Sequence, residues 1–490
     1  MTPRLLHHLL DAATLRTPDA PAVTSGDHTV SYAELADASR VAASALAGAG
    51  VRRGDRVVTL VPSSLPLVAV VYGCSRAGAA FVVLHEQVRG SALRHVLTDA
   101  EPALLVTGDQ DAAVLAAELG VPVVSLDELA RPSPTGQPAE PIAVDPVCLI
   151  YTSGSTGLPK AVVSTHAQVL FAAHAIADRL GYRAEDVVWL QLPLSFDYGL
   201  YQLFLAAVAG AHVSLGSPGD LGPVLLAKLR RSRATVLPAV PSLADNLARM
   251  LERYGADLPL RLITNTGAAM HQDTLARLRA LLPALRVQLM FGLTECKRAT
   301  IMPPDEDLRR PGASGVALPG TEVVVLDEHG NRLPPGEIGE IVVRGPHVMA
   351  GYWRRPDLTG ERFRLVEGLF PQLHTGDYGW LDAEGYLYFD GRRDDLYKSA
   401  GYRVSATEVE AAARRVDGVG AAAVVPPGPG RRQPVLFVVA EIEPETVLAR
   451  MAEEIEPYKI PASCRRLAAL PLTANGKIDR EALATLLAAR

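Results

Sequence analysis

Short apolar runs alternate with stretches of helical periodicity over roughly the first three hundred residues, and few folds accept that pattern. RVVTLV (56–61), ALLVTG (103–108) and VPVVSL (121–126) read as buried strands. Between or beside them lie SYAELADASRVAASALAGAG (31–50), the Ala-rich segment 65–78 and the segment 111–119, all with helical spacing. Such alternation implies parallel strands joined by crossover helices. The most apolar stretch, 57–84, is interrupted by Pro62, Pro66 and Arg76, so it reads as core rather than as a membrane span. A Pro-rich loop, 131–146, leads into a new strand, VCLIYTS. Helices are then expected at 166–180, 199–209, 223–231 and 242–254, between the strands VVWLQLP, HVSLG, TVLPAV and RLITNTG.

After Gly315 the texture changes. Short strands separated by Asp-Glu-His-Gly and Pro-Pro-Gly turns suggest a small antiparallel lobe. The last hundred or so residues read as a separate unit, with helices at 405–415 and 445–453, strands at 419–425 and 434–441, and a final helix from Asp479. A chain of 490 residues, 48% hydrophobic, is long enough for two or three lobes. A net charge of −6 gives no sign of a nucleic-acid or acidic-membrane surface. The first residues, MTPRLLHHLLDAA, lack the apolar core of a signal peptide. Cys74, Cys148, Cys296 and Cys464 are widely spaced, which argues against a disulfide framework or a zinc site and for a reducing cytoplasm.

Four segments could carry chemistry. In YTSGSTGLPKAVVSTH (151–166) a strand feeds a loop with Ser153, Gly154, Ser155, Thr156, Gly157 and then Lys160. Glycines admit a ligand close to the backbone, and hydroxyls with exposed N–H groups cradle phosphate oxygens. The spacing is not that of a Walker A loop. In MFGLTECKRAT (290–300), Glu295 follows Thr294, a pairing suited to Mg²⁺ held against a nucleotide phosphate. In HTGDYGW…DGRRDD (374–395), Asp377 sits between glycines, where a carboxylate can accept from vicinal ribose hydroxyls, and Arg392 follows a further glycine. In LPLTANGKIDR (470–480), Lys477 occupies an Asn-Gly turn. Taken singly, each has a plain reading as a turn or a solvated charge. Of 48 basic residues only six are lysine, and Lys160, Lys297 and Lys477 lie within these segments, with Lys398 just beyond the third. In an arginine-rich chain a retained lysine hints that a compact ammonium is wanted.

In order and spacing, the four segments resemble the adenylate-forming superfamily of acyl-CoA synthetases, nonribosomal peptide adenylation domains and luciferases. The resemblance implies an α/β fold with a large N-terminal domain, residues 1–393, made of two α/β sheets and a small β-barrel. A small mobile α+β domain, 394–490, would follow, hinged at Asp394. It implies ATP and Mg²⁺ as cofactors, and attack of a carboxylate on the α-phosphorus of ATP. A thiol would displace AMP after the small domain turns. Thr152 to Lys160 match the phosphate loop, Thr294 the residue beside the AMP phosphate and Glu295 the Mg²⁺ ligand. Asp377 and Arg392 match the ribose contacts, and Lys477 the lysine bridging the attacking carboxylate and the phosphate. His166 matches a gate near the reacting carboxylate, and Gly401 a glycine lining the pantetheine tunnel. The chain departs from the superfamily after SRAGAAF, where VVLHEQ replaces the usual P-L-D-P.

LPLSFDYGLYQLF (192–204) resembles the segment of amino-acid-activating members in which the residue matching Asp197 anchors the substrate ammonium. The pocket positions of that family fall on Tyr198, Tyr201, Thr264, Thr266, Met290, Lys297, Arg298 and Ala299. Two adjacent cations after the Glu would suit a second carboxylate on the substrate. The expected reaction is activation of a small carboxylic acid, an amino acid of acidic or β-amino type. The acyl group would pass to the phosphopantetheine of a separate carrier protein, since no carrier domain is visible in the chain. An acyl- or aryl-CoA ligase and a relative that feeds an unusual nucleophile such as nitrite for diazotisation stay open as alternatives, while intact Lys477, Glu295 and Asp377 argue against a non-catalytic nucleotide sensor.

Overall fold

A computed structural model describes residues 3–133, 140–152, 159–217, 219–366, 370–392, 396–399, 402–427, 433–455, 459–473 and 477–488. The fold is mixed α/β, with a large N-terminal domain built on sheets and a small C-terminal domain. Contacts divide the chain into one unit of Met1–Val323 with Val343–His374 and a second of Val324–Val342 with Thr375–Arg490. The boundary implied by the resemblance lies further on, at Asp394, which is outside the described residues.

Among the described residues the first unit contains two large sheets. At the centre of one, Val187–Leu190, Val236–Ala239, Leu262–Asn265 and Arg286–Phe291 run parallel. In the other, Ala80–Leu84, Arg56–Leu60 and Leu104–Thr107 are parallel, and Pro146–Thr152 pairs antiparallel with Lys160–Thr165. The apolar stretch 57–84 forms a strand, the helix Leu65–Ala77 and a second strand. That helix is buried on nearly every side because residues of both sheets' helices pack on it, which accounts for its lack of a polar face. No described helix is long and apolar enough to cross a membrane.

Local chemistry sets the ends of the elements. Ser31 and Glu34 form a reciprocal capping box at the start of the helix Tyr32–Gly48, and Thr165 with Gln168 does the same for His166–Leu180. The latter helix stops at Gly181, whose φ of +61° places it in the left-handed region.

The change after Gly315 corresponds to antiparallel pairing of Phe363–Val366 with Phe370–Leu381, and of the latter with Leu387–Arg392. With Glu322–Leu326 and Gly339–Arg344 these make a five-stranded sheet, where a small barrel was implied. In the second unit the strands Val419–Val425, Val435–Ala440 and Ser463–Arg466 carry the helices Ala406–Arg415, Pro444–Met451 and Arg480–Ala488. Val409, Ala413, Leu436, Val438 and Met451 give them a core of their own.

Candidate active site

Lys160 opens the strand Lys160–Thr165, and Thr152 opposite it ends Pro146–Thr152. The sheet thus fixes both ends of the phosphate-loop candidate. Ser153, Gly154, Ser155, Thr156 and Gly157 lie outside the described residues. Thr294 and Glu295 sit in a turn after Arg286–Phe291, closed by hydrogen bonds from the Cys296 N–H to the Leu293 carbonyl and from the Ala299 N–H to the Phe291 carbonyl. Glu295 Oε1 accepts from the Tyr352 hydroxyl at 2.7 Å and lies 3.8 Å from Lys160 Nζ. Lys160 Nζ is also 3.9 Å from the centroid of the Tyr352 ring. Both contacts fall on Oε1, so among the described residues Oε2 is the oxygen left for a cation. No group of three His, Cys, Asp or Glu side chains gathers among the described residues. A single carboxylate with little else fits Mg²⁺, which keeps its waters and takes its remaining oxygens from substrate phosphates.

A second cluster lies at the C-terminal ends of the parallel strands, where open α/β sheets place ligands. Asp197 begins the helix Asp197–Ala209 and is 6% exposed. Arg298 Nη1 lies 3.5 Å from Asp197 Oδ2, donates to the Lys297 carbonyl at 2.7 Å, and its guanidinium carbon stands 4.7 Å from the centroid of the Tyr198 ring. The Tyr198 hydroxyl is 2.7 Å from Thr264 Oγ1. Lys297 is 0% exposed and its Nζ sits 5.5 Å from the Tyr201 ring centroid. Lys297 Nζ, Arg298 Nε and the Tyr201 hydroxyl are buried without a hydrogen-bond partner. Burial pushes the hydroxyls of Tyr198 and Tyr201 well above the usual phenol range, so both stay protonated. Thr266 and Met290 are buried at the ends of adjacent strands, and Ala299 is buried next to Arg298. Lys297 is a non-glycine residue in the left-handed region, with φ +61°. The close approach of Gly292 permits this, since a Cβ there would collide with the Lys297 carbonyl.

Not every residue expected at the site is brought there. His166 starts its helix buried, and its Nδ1 accepts the Leu6 N–H at 3.0 Å. Its charged neighbours are Asp145 and His8, and it packs against the N-terminal segment. Burial, partly offset by Asp145, lowers its pKa to about 4, and burial with Arg76 lowers that of His7 to about 3. His7 is itself held by Ser75 Oγ, 2.9 Å from its Nδ1. In the unfolded chain both would titrate near their ordinary 6.5, so unfolding takes up protons below that pH. The full stability is present above pH 6.5 and falls as the pH drops toward 4, by on the order of 3 kcal/mol from His166 alone. Thermal unfolding between pH 7 and 4 should show this slope, and His166→Gln should reduce it while leaving the part due to His7.

The remaining candidates belong to the second unit. Asp377 and Arg392 are register partners on antiparallel strands, with the Asp377 N–H bonded to Thr375 Oγ1 at 3.0 Å. Lys477 stands next to Ile478, which is bridged antiparallel to Leu472. Lys459 Nζ pairs with Glu408 at 2.6 Å, an ion pair within that unit. The backbone of Lys398 is in register with Arg403 in a two-stranded ribbon, and Gly401, like Asp394, lies outside the described residues. Sequence reasoning missed Tyr352, because nothing in GYW marks its hydroxyl as a partner for Glu295. It also missed Gly292, where a glycine beside a motif was the only signal.

With this geometry in place, the chain was compared with known proteins. Residues 10–353 match the AMP-binding enzyme family and residues 408–477 match the AMP-binding enzyme C-terminal domain. The chain belongs to the AMP-binding enzyme family. It is an AMP-forming ligase that uses ATP and Mg²⁺. The ligase is 33% identical over 477 residues to a feruloyl-CoA synthase of Amycolatopsis, covering 94% of this chain and 95% of the relative. It is 40% identical to VinN solved in complex with L-aspartate, with a TM-score of 0.72 over 79% of this chain and 98% of that one. It also resembles the O-succinylbenzoate coenzyme A synthetase of Bacillus subtilis in complex with ATP and magnesium. That likeness has 28% identity and a TM-score of 0.86, over 97% of this chain and 99% of the other. All four cysteines of the ligase are unpaired.

Proposed function

We propose that the ligase activates an amino-dicarboxylic acid of the aspartate or β-amino type and hands it to a phosphopantetheine thiol of a separate carrier protein. The observation that carries this reading is the buried Lys297 ammonium without a hydrogen-bond partner. Such a charge is costly unless an anion completes the site. Asp197, Lys297 and Arg298 together carry a net single positive charge, and an amino-dicarboxylate carries the matching negative one. Its ammonium takes Asp197 in competition with Arg298, and its second carboxylate takes donors among Lys297, Arg298 and the Tyr201 hydroxyl. A neutral amino acid or a fatty acid leaves the buried Lys297 cation uncompensated, because Asp197 and Arg298 already balance each other. The complex of VinN, a relative, with L-aspartate supports the same substrate class.

In the reaction, an oxygen of the other carboxylate bonds to the α-phosphorus of ATP and the bond to the pyrophosphate oxygen breaks. Lys477 stabilises charge on the oxygens in flight, Glu295 holds the metal ion, Thr294 and the loop 152–160 hold phosphate oxygens, and Asp377 and Arg392 hold the ribose. A thiolate sulfur then attacks the acyl carbonyl and AMP departs with the carbonyl–oxygen bond electrons. The residue carrying the turn between the two half-reactions is Asp394. Asp394→Pro fixes φ there and should slow thioester formation far more than adenylation, whereas equal wild-type rates for both place the hinge elsewhere.

Substrate-dependent pyrophosphate release across amino, β-amino, aryl and fatty acids tests the substrate class. Following labelled acyl group to CoA or to a carrier protein tests the acceptor. The feruloyl-CoA synthase relative favours CoA as the second reading. Cytoplasmic location fits an enzyme that draws on ATP and carries unpaired cysteines.

A further inference from the structure

Tyr352 belongs to none of the motifs, yet it touches both charged residues at the phosphate end of the site. The two-residue strand Gly351–Tyr352 pairs antiparallel with Lys160–Thr165, placing Tyr352 opposite Val162, and the Met349 N–H donates to the Glu295 carbonyl at 2.8 Å. The Tyr352 N–H is held by Thr359 Oγ1 at 3.0 Å and its ring packs edge-on against Phe363, centroids 5.5 Å apart. The ring is therefore fixed from three sides. Its hydroxyl donates to Glu295 Oε1 at 2.7 Å, while Lys160 Nζ stands off the same oxygen at 3.8 Å and rests on the ring face at 3.9 Å.

That spacing has a consequence for charge. A lysine and a glutamate this close and largely shielded from water would ordinarily close to hydrogen-bond distance and neutralise each other. Here the hydroxyl already donates to Oε1, and the ring face offers the ammonium a second seat.

We infer that Tyr352 is a positioning residue which holds Glu295 apart from Lys160 and so keeps its carboxylate for Mg²⁺. The inference needs only ATP and Mg²⁺ use and is independent of the acid substrate.

The test is Mn²⁺ binding in place of Mg²⁺, followed by electron paramagnetic resonance with a non-hydrolysable ATP analogue present. Tyr352→Phe keeps the ring and its packing and removes one charge-assisted hydrogen bond. It should weaken Mn²⁺ binding about tenfold, with the thermal unfolding midpoint and the KM for the acid unchanged. Because the hydroxyl acts through the carboxylate, adding Tyr352→Phe to Glu295→Gln should change binding no further. Wild-type Mn²⁺ affinity in Tyr352→Phe would overturn the inference. Additive losses in the double variant would overturn it as well, since a hydroxyl acting through packing alone would lose as much in either background.

Discussion

Lys477→Ala is expected to reduce acyl-AMP formation by about 10²–10³, the usual loss when one preorganised donor to a developing oxyanion is removed. The fold should be untouched. The turn is held by the backbone, with the Thr473 N–H donating to the Lys477 carbonyl at 2.7 Å and the Lys477 N–H to Thr473 Oγ1 at 3.3 Å. Alanine keeps both bonds. Thioester formation from synthetic acyl-AMP should keep its rate, because the charge that Lys477 stabilises arises only in the first half-reaction. Pyrophosphate exchange and single-turnover thioester assays on the same preparation separate the two steps. Normal exchange in the variant would remove Lys477 from the chemistry.

The second large effect belongs to the charged pocket. Asp197→Ala should cost about 3–5 kcal/mol in activation of an amino-dicarboxylate, as when one side of a buried ion pair is removed. The loss has two sources: the ammonium has no anion, and Arg298 Nη1, 3.5 Å from Asp197 Oδ2, loses its counter-charge. Lys297→Met makes a contrasting case. It keeps the length of the stem and removes a buried ammonium without a hydrogen-bond partner. The fold should therefore become more stable while KM for the dicarboxylate rises and discrimination against uncharged analogues falls. A stabilised, unselective variant is a signature that loss of packing would not produce.

How far the chemistry could be read from sequence depended on whether it was local. The alternation of apolar runs and helical segments was legible because crossover topology leaves a periodic trace, and the helix Leu65–Ala77 was visible from its apolar faces. Asp197, Lys297 and Arg298 were grouped into one pocket only through the family resemblance, not by any local pattern. Their closeness in space comes from a helix start and a strand-end turn a hundred residues apart. The orphaned state of Lys297 has no sequence signal at all, since it depends on Gly292 admitting a left-handed backbone at the following turn. His166 shows how local context leaves its partner unread. It stands in the right sequence context, yet the capping box at Thr165 makes it the first residue of a helix and turns it to the Leu6 backbone. Tyr352 lies fifty-seven residues from Glu295, too far for any local pattern to join them.

The central claim is that a net positive pocket selects a substrate of net charge −1. The most direct measurement is the ratio of kcat/KM for aspartate over asparagine in ATP–pyrophosphate exchange with the unaltered enzyme. The two acids differ only in whether the second group is charged. A ratio of about 10² or more, falling toward unity in Lys297→Met, is the predicted result. Equal use of the two, or exchange supported best by fatty or simple aryl acids, would contradict it.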